Sequence, residues 1–120
     1  MEPSEAVTWL MQMTREMTLE AQQWDYFALT WKAMGFSFDE NLRKRVKTHG
    51  RMLGLFMNDL KKNVVPKGTR INVEDLSEWT AKFERLQKTH GQLIPLFKRE
   101  AERFGTVFKD AGAGWSAVDE

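Results

Sequence analysis

The two histidines of the chain, His49 and His90, each lie inside the same four-residue motif. The motif reads Lys-Thr-His-Gly at residues 47–50 and 88–91, and the match resumes as Leu-Phe at 55–56 and 96–97. Neutral imidazole is the commonest metal ligand, and helical bundles build metal and haem sites from side chains on facing helices. Two histidines at matching positions therefore raise a metal or haem site as one hypothesis.

The residues around the histidines favour a structural role instead. Neither histidine has a carboxylate or a further histidine three or four positions away, where a metal site on these helices would draw its ligands. We favour a hydrogen-bonded histidine pair, with Thr48, Thr89 and the Gly91 carbonyl as its predicted partners. The metal or haem site stays the weaker alternative, and we predict no cofactor.

Other signs of catalysis are missing from the sequence. It contains no glycine-rich phosphate loop, no nucleophile with an adjacent base and no clustered carboxylates. The absence of cysteine excludes disulfides, thiolate catalysis and cysteine zinc sites, and it favours a reducing, cytoplasmic setting. No apolar run approaches the roughly 18 residues of a membrane span, so we expect no membrane contact. These features predict a non-enzymatic cytoplasmic protein.

Apolar residues at helical spacing predict three helices and no strand. The first helix is expected to begin at a Ser4 cap and to stop at Gly35. The second is expected to begin with a capping box of Ser37 and Glu40 and to end before Pro66. The third is expected to begin at an Asn72 cap and to fade near residue 110. The predicted fold is all-α, a long first helix packed on an antiparallel helical hairpin, in other words a three-helix bundle.

The predicted apolar stripe of the first helix is Ala6, Leu10, Met13, Met17, Trp24, Phe27, Trp31 and Met34, interrupted only by the charge of Glu20. That of the second helix is Leu42, Val46, His49, Leu53, Phe56, Leu60 and Val64. That of the third runs from Leu76 to Phe108 and contains His90. Both histidines are thus expected to face the core.

A hairpin whose turn is centred near residue 69 or 70 brings His49 and His90 to the same height. Glycine costs about 1 kcal/mol in a helix interior relative to alanine. The neighbouring Gly50 and Gly91 therefore predict a close backbone approach at this waist. Pro95 has no amide hydrogen, and its ring clashes with the Gly91 carbonyl, which predicts a kink there.

The length of the third helix suggests self-association. At about 1.5 Å per residue it would be ~55 Å long, more than one covering helix can bury. We therefore expect dimerisation to complete the bundle. The 120 residues form one domain, with a helical bundle over 1–111 and a flexible acidic tail over 112–120.

Charge is strongly segregated along the chain, although the net charge is only +1. Residues 1–40 carry seven acidic and two basic side chains, residues 41–109 carry sixteen basic and seven acidic ones, and residues 110–120 carry three acidic ones. A basic hairpin suggests nucleic-acid binding as the alternative function. Its predicted contacts are Arg43, Lys44, Arg45, Lys47, Arg51, Arg85 and Lys88.

The main functional prediction is protein binding, as a small adaptor, assembly factor or inhibitor. Trp115, Met11 and Trp9 are the predicted contacts. Trp115 lies among small and acidic residues that cannot build a helix, and tryptophan is favoured at interface hot spots. A tail folded back on its own bundle explains Trp115 equally well. The predicted partner is another protein, in the first place a second copy of the chain.

Overall fold

The computed structural model describes residues 2–108, apart from the side chains of residues 68 and 69. It contains three long helices, α1 (Pro3–Ala33), α2 (Glu40–Asp59) and α3 (Val73–Val107), and each packs against the other two. No strand occurs in this part of the chain. The all-α three-helix bundle is therefore confirmed, as an elongated body of 57 × 24 × 19 Å. The predicted tail at 112–120 lies outside the described residues.

α1 begins earlier than the sequence suggested. Its N-cap is Glu2 and Pro3 is the first helical residue, so the prediction of a Ser4 cap is wrong. Proline is favoured at this position because an amide hydrogen in the first turn has no acceptor within the helix, so its absence from proline costs nothing. At the other end Gly35 has a φ of 93°, as the predicted C-terminal glycine requires. Its amide donates to the Lys32 carbonyl, and the Phe36 amide donates to the Trp31 carbonyl, which together form a Schellman motif.

α2 is capped by Asp39 and not by Ser37, so the predicted capping box is wrong. The Asp39 carboxylate accepts hydrogen bonds from the amides of Asn41 and Leu42 at 2.9 and 3.2 Å. Glu40 is the first helical residue, and its carboxylate accepts from the Lys32 ammonium at 3.0 Å. Glu40 therefore forms an ion pair between α1 and α2 and takes no part in a capping box.

The connection between α2 and α3 is helical as far as Arg70, and Ile71 and Asn72 are extended. A π-helical turn covers Leu60–Val64 and a 3₁₀ segment covers Val65–Arg70. The α-helix ends at Asp59, before Pro66 as predicted, and other helical geometry continues beyond the proline. Pro66 is tolerated because it lies in the first turn of the 3₁₀ segment.

α3 starts where the sequence placed it and runs for 35 residues. The Asn72 side chain accepts from the Asp75 amide at 2.7 Å, which confirms this cap. The helix continues through Pro95. Both Gly91 and Pro95 are exposed, so water can hydrate the Gly91 carbonyl that the proline leaves without an amide donor.

The core uses the predicted face of α2, and on α1 it uses half of the predicted stripe together with a neighbouring row of small residues. Every residue of the predicted α2 stripe, from Leu42 to Val64, is buried. On α1 the buried residues repeat every seven positions in two interleaved series: Val7, Thr14, Ala21 and Ala28, then Leu10, Met17, Trp24 and Trp31. This is the heptad pattern of helices that pack along a seam. The small first series lets α1 lie close to the hairpin.

The predicted close approach of two glycine backbones is wrong. A Cβ atom added at Gly91 would meet nothing within 4 Å, and one added at Gly50 would meet only the Ala21 Cβ, at 4.0 Å. Gly50 therefore faces α1 and Gly91 faces away from the contact. Histidine side chains, and not glycines, occupy the space between α2 and α3 at this level.

Candidate functional site

His49 and His90 meet inside the bundle, as the hairpin geometry predicts. The Nε2 atom of His49 lies 2.9 Å from the Nδ1 atom of His90, and both side chains are buried. α2 supplies the first ring and α3 the second. The two rings are joined edge to edge by one hydrogen bond, so each keeps one nitrogen for a further partner.

The further partner of His90 comes from α1. Its Nε2 atom lies 2.7 Å from Oε1 of Glu20, whose side chain is 47% exposed. The predicted partners were Thr48, Thr89 and the Gly91 carbonyl, and this prediction is wrong: the Thr89 hydroxyl donates to the Arg85 carbonyl. The charge of Glu20 within the apolar stripe was the signal that could have identified it. Glu20, His90 and His49 thus form a series across all three helices, here called the histidine chain.

The surroundings of the histidine chain keep His49 neutral. Trp24 stacks on the His90 ring with centroids 4.7 Å apart, and His49 is only 3% exposed. Burial, together with the nearby charge of His90, lowers the pKa of His49 to about 4. The Nδ1 atom of His49 is buried and has no hydrogen-bond partner among the described residues. It is the free end of the series.

His49 also lines a groove of about 720 Å³ formed by α2 and α3 alone. Apolar side chains form its floor: Met52, Leu55, Phe56, Leu86 and Leu93. Four cationic side chains flank them: Lys44, Arg45, Lys82 and Arg85. Thr48, Thr89 and the single carboxylate Asp59 complete the lining of this α2–α3 groove. Such a surface suits an amphipathic ligand with negative charge.

The residues predicted to contact nucleic acid lie only partly along the α2–α3 groove. Lys44, Arg45 and Arg85 line the α2–α3 groove. The Arg43 side chain is only 16% exposed and lies 4.0 Å from the Glu40 carboxylate. The remaining predicted contacts, Lys47, Arg51 and Lys88, are exposed but do not line the groove.

Of the residues predicted to bind a protein partner, Trp9 and Met11 contact different parts of the bundle. Trp9 is 41% exposed and makes an edge contact with Phe83, with ring centroids 5.1 Å apart. Met11 packs against the core and lines a second groove, of about 560 Å³, between α1 and α2. Trp115 lies outside the described residues. Sequence reasoning did not anticipate the α2–α3 groove, because its floor combines stripe residues of both helices with Met52 and Leu55, which flank the stripe of α2.

Within residues 2–108, no three histidine, aspartate or glutamate side chains are grouped so that they could hold a metal ion. No helix in this range is both long and apolar enough to cross a membrane. Comparison with protein-family models, with curated proteins and with solved structures gives no match. The α2–α3 groove and the histidine chain are the two features of the described residues that bear on function.

Proposed function

We propose that this is a non-enzymatic binding protein whose α2–α3 groove takes an acidic amphipathic helix of another protein. The observation that carries the proposal is the composition of the groove, an apolar floor flanked by Lys44 and Arg45 on α2 and by Lys82 and Arg85 on α3. An amphipathic helix in an apolar groove is a recurring mode of peptide recognition.

The dimensions of the groove suit a short helix. Its lining on α2 runs from Lys44 to Asp59, which is about 22 Å at about 1.5 Å per residue. A partner helix of roughly four turns would span that length. Met52 and Leu55 are about half exposed at 47% and 52%, so docking would remove apolar surface from water. Methionine adapts readily to different partner side chains.

Charge selects among possible occupants. Four cations against the single carboxylate Asp59 favour an acidic partner. The same face of a second copy would bring like charges together, so a symmetric dimer through this groove is disfavoured. Nucleic acid gains nothing from an apolar floor, and Lys47, Arg51 and Lys88 lie outside the groove. The cytoplasmic location remains a prediction from the composition.

The test uses a designed 14-residue helical peptide with leucines on one face and glutamates on both flanks. Titration of the full chain, followed by fluorescence anisotropy of labelled peptide, should show binding that weakens with salt. A counterpart with lysine in place of every glutamate should bind at least tenfold more weakly. Preference for the lysine peptide, or for duplex DNA over both peptides at ~50 mM salt, would overturn the proposal.

Two double variants with the same change in net charge locate the site. Lys44→Glu with Arg85→Glu reverses charges beside the groove, and we expect at least tenfold weaker binding of the acidic peptide. Lys47→Glu with Lys88→Glu reverses exposed charges elsewhere on the same two helices. For this variant we expect the binding of the acidic peptide to weaken by less than about threefold. Equal losses would mean that the peptide senses only the overall charge of the hairpin.

The acidic tail of the chain is the competing occupant of the groove. Its Trp115 was predicted either to dock on a partner or to fold back on the bundle. The variant Trp115→Ala in the full chain tests for this competition. If the groove is free to bind its partner, the affinity for the acidic peptide should stay unchanged. Tighter peptide binding by this variant would show that the tail itself competes for the groove.

A further inference from the structure

The heights of the charged side chains along the α2–α3 groove follow from two contacts between its helices. His49 meets His90, and Phe56 meets Phe83 with ring centroids 6.5 Å apart. The second contact lies seven residues later on α2 and seven residues earlier on α3, as expected for two antiparallel helices with the same rise per residue. The height of each lining residue can therefore be read from its residue number.

The end of the groove near the start of α2 carries positive charge only. Lys44 and Arg45 line it, and none of the described carboxylates does. The Glu40 carboxylate lies one turn before Lys44, but it is already paired with the Lys32 ammonium at 3.0 Å. Within residues 2–108, neither Lys44 nor Arg45 forms an ion pair. Two cations are thus available to a ligand at this end.

The opposite end of the groove carries both signs of charge. Asp59, the last residue of α2, lines it together with Lys82 and Arg85 of α3. By its number Lys82 lies level with Met57, two residues before Asp59, and Arg85 lies about one turn closer to the middle. Asp59 is exposed and has no ion-pair partner in the described part of the chain. The net positive charge of the lining therefore falls toward the end of α2.

A docked helix has a charge asymmetry of its own. Its peptide dipoles place partial positive charge at its N-terminus and partial negative charge at its C-terminus, and each end favours the opposite charge nearby. The C-terminal turn of such a helix is therefore stabilised beside Lys44 and Arg45, and its N-terminal turn is stabilised beside Asp59. Both preferences select the same direction in the groove.

We propose that the partner helix docks antiparallel to α2, and that Asp59 is a specificity-determining residue that selects a lysine or arginine in the first turn of that helix. This inference rests on the proposed function. The partner is thus an amphipathic helix whose middle and last turns are acidic and whose first turn is basic. A free helix is stabilised by the reverse pattern, so this arrangement of charges distinguishes the partner from other acidic helices.

Two peptides of identical composition test the direction. Each is the acidic 14-residue peptide with one flanking glutamate replaced by lysine, in the first turn or in the last turn, and both ends are capped to remove the terminal charges. At ~50 mM salt the full chain should bind the first-turn peptide about three- to tenfold more tightly. Equal binding, or tighter binding of the last-turn peptide, would overturn this inference and leave the groove proposal intact. If neither peptide binds, the groove proposal itself fails.

A charge reversal in the chain tests the role of Asp59, because the helicity of the free peptides cancels when parent and variant are compared. Asp59→Lys should abolish or reverse the preference for the first-turn peptide. The fold should be retained, since the new cation lies in the last turn of α2, where the helix dipole favours it. An unchanged preference in this variant would contradict the role of Asp59.

Glu84→Lys is the matched control for Asp59→Lys. Glu84 is exposed on α3 outside the groove lining, and its reversal makes the same change in net charge. We expect this variant to keep the ratio of the two peptide affinities within about twofold of that of the parent chain. If both variants lose the preference equally, the peptides sense only the overall charge, and Asp59 does not select the partner.

Paramagnetic labelling reads the direction of docking without reference to affinity. A nitroxide at the N-terminus of the acidic peptide should broaden the amide NMR signals of residues near Asp59, and one at its C-terminus should broaden those near Lys44. The chain contains no cysteine, so a thiol-linked nitroxide on the peptide cannot exchange onto it. The reverse pattern, or equal broadening at both ends of the groove, would overturn the proposed direction.

Discussion

At the scale of single residues, the bundle tolerates a polar series in its core because each member satisfies the next. Glu20 remains half in solvent, so its charge is not buried, and His90 connects it to His49. Only the far end at His49 is without a partner. The histidine chain therefore lies at one level of the molecule, beside the groove.

Stability should fall in mild acid because of His49. The pKa of His49 is about 4 in the folded chain and near the ordinary 6.5 in the unfolded chain. Between these two values the unfolded chain binds a proton at His49 and the native chain does not. Neutral His49 contributes roughly 2–4 kcal/mol to the free energy of unfolding. This contribution is fully present above pH 6.5 and is lost as the pH falls from 6.5 toward 4. Urea unfolding at a series of pH values measures it.

The variant His49→Gln isolates this contribution from that of the carboxylates. Glutamine can still donate to His90 but does not titrate, so the loss of stability between pH 6.5 and 4 should be clearly smaller than in the parent chain. Parallel curves for the two proteins would show that His49 does not resist protonation.

At the scale of the helices, sequence reasoning succeeded where a single face is buried and failed where neighbouring faces compete. α2 has one apolar face, and its whole predicted stripe is in the core. α1 carries apolar residues around much of its surface, so only half of its predicted stripe is buried: Leu10, Met17, Trp24 and Trp31. Small residues such as Ala21 and Ala28 decided the outcome, because they allow closer packing than periodicity alone reveals.

The histidine pairing could be predicted because it depends on the hairpin alone. Glu20 and the groove could not, because they depend on how α1 is rotated against the hairpin and on which flanking residues stay uncovered. The start of α2 shows the same limit. Ser37 and Asp39 are both good caps, and only the path of the preceding turn selects between them.

The two candidate caps of α2 can be compared directly. Asp39→Ala removes the acceptor of two amide hydrogen bonds and should cost about 1 kcal/mol of unfolding free energy. Ser37→Ala should change it by less than about 0.5 kcal/mol, since only the Ser37 carbonyl is used, by the Arg103 guanidinium. Urea denaturation of both variants gives the comparison. A larger loss for Ser37→Ala would restore the capping box.

At the scale of the whole molecule, the hairpin and α1 present different apolar surfaces. The basic hairpin presents the α2–α3 groove, whereas α1 leaves an uncharged apolar stripe in solvent: Leu19, Tyr26 and Leu29, with exposures of 51, 66 and 45%. At about 100° per residue, these three side chains lie within about 80° of one another around the axis of α1, on a single face of the helix. This stripe is where the predicted homodimer would form.

Light scattering at tens of micromolar should give twice the chain mass of 14.0 kDa. Leu19→Glu with Tyr26→Glu should reduce the mass to that of a monomer, because it places charge in the centre of the proposed interface. Val73→Glu is the control, since Val73 is 78% exposed at the start of α3 and away from the stripe. A mass of 14.0 kDa for the parent chain would end the dimer prediction.

The histidine chain also bears on how the helices are aligned lengthwise. Apolar side chains can exchange neighbours at modest cost, so a bundle held only by such contacts could slide by a residue or a turn. A slip of α3 by one residue would rotate its side chains by about 100° and carry His90 away from both Glu20 and His49. Buried polar residues at single core positions fix helix alignment in this way, at some cost in stability. One hydrogen-bonded level thus sets the relative heights of all three helices.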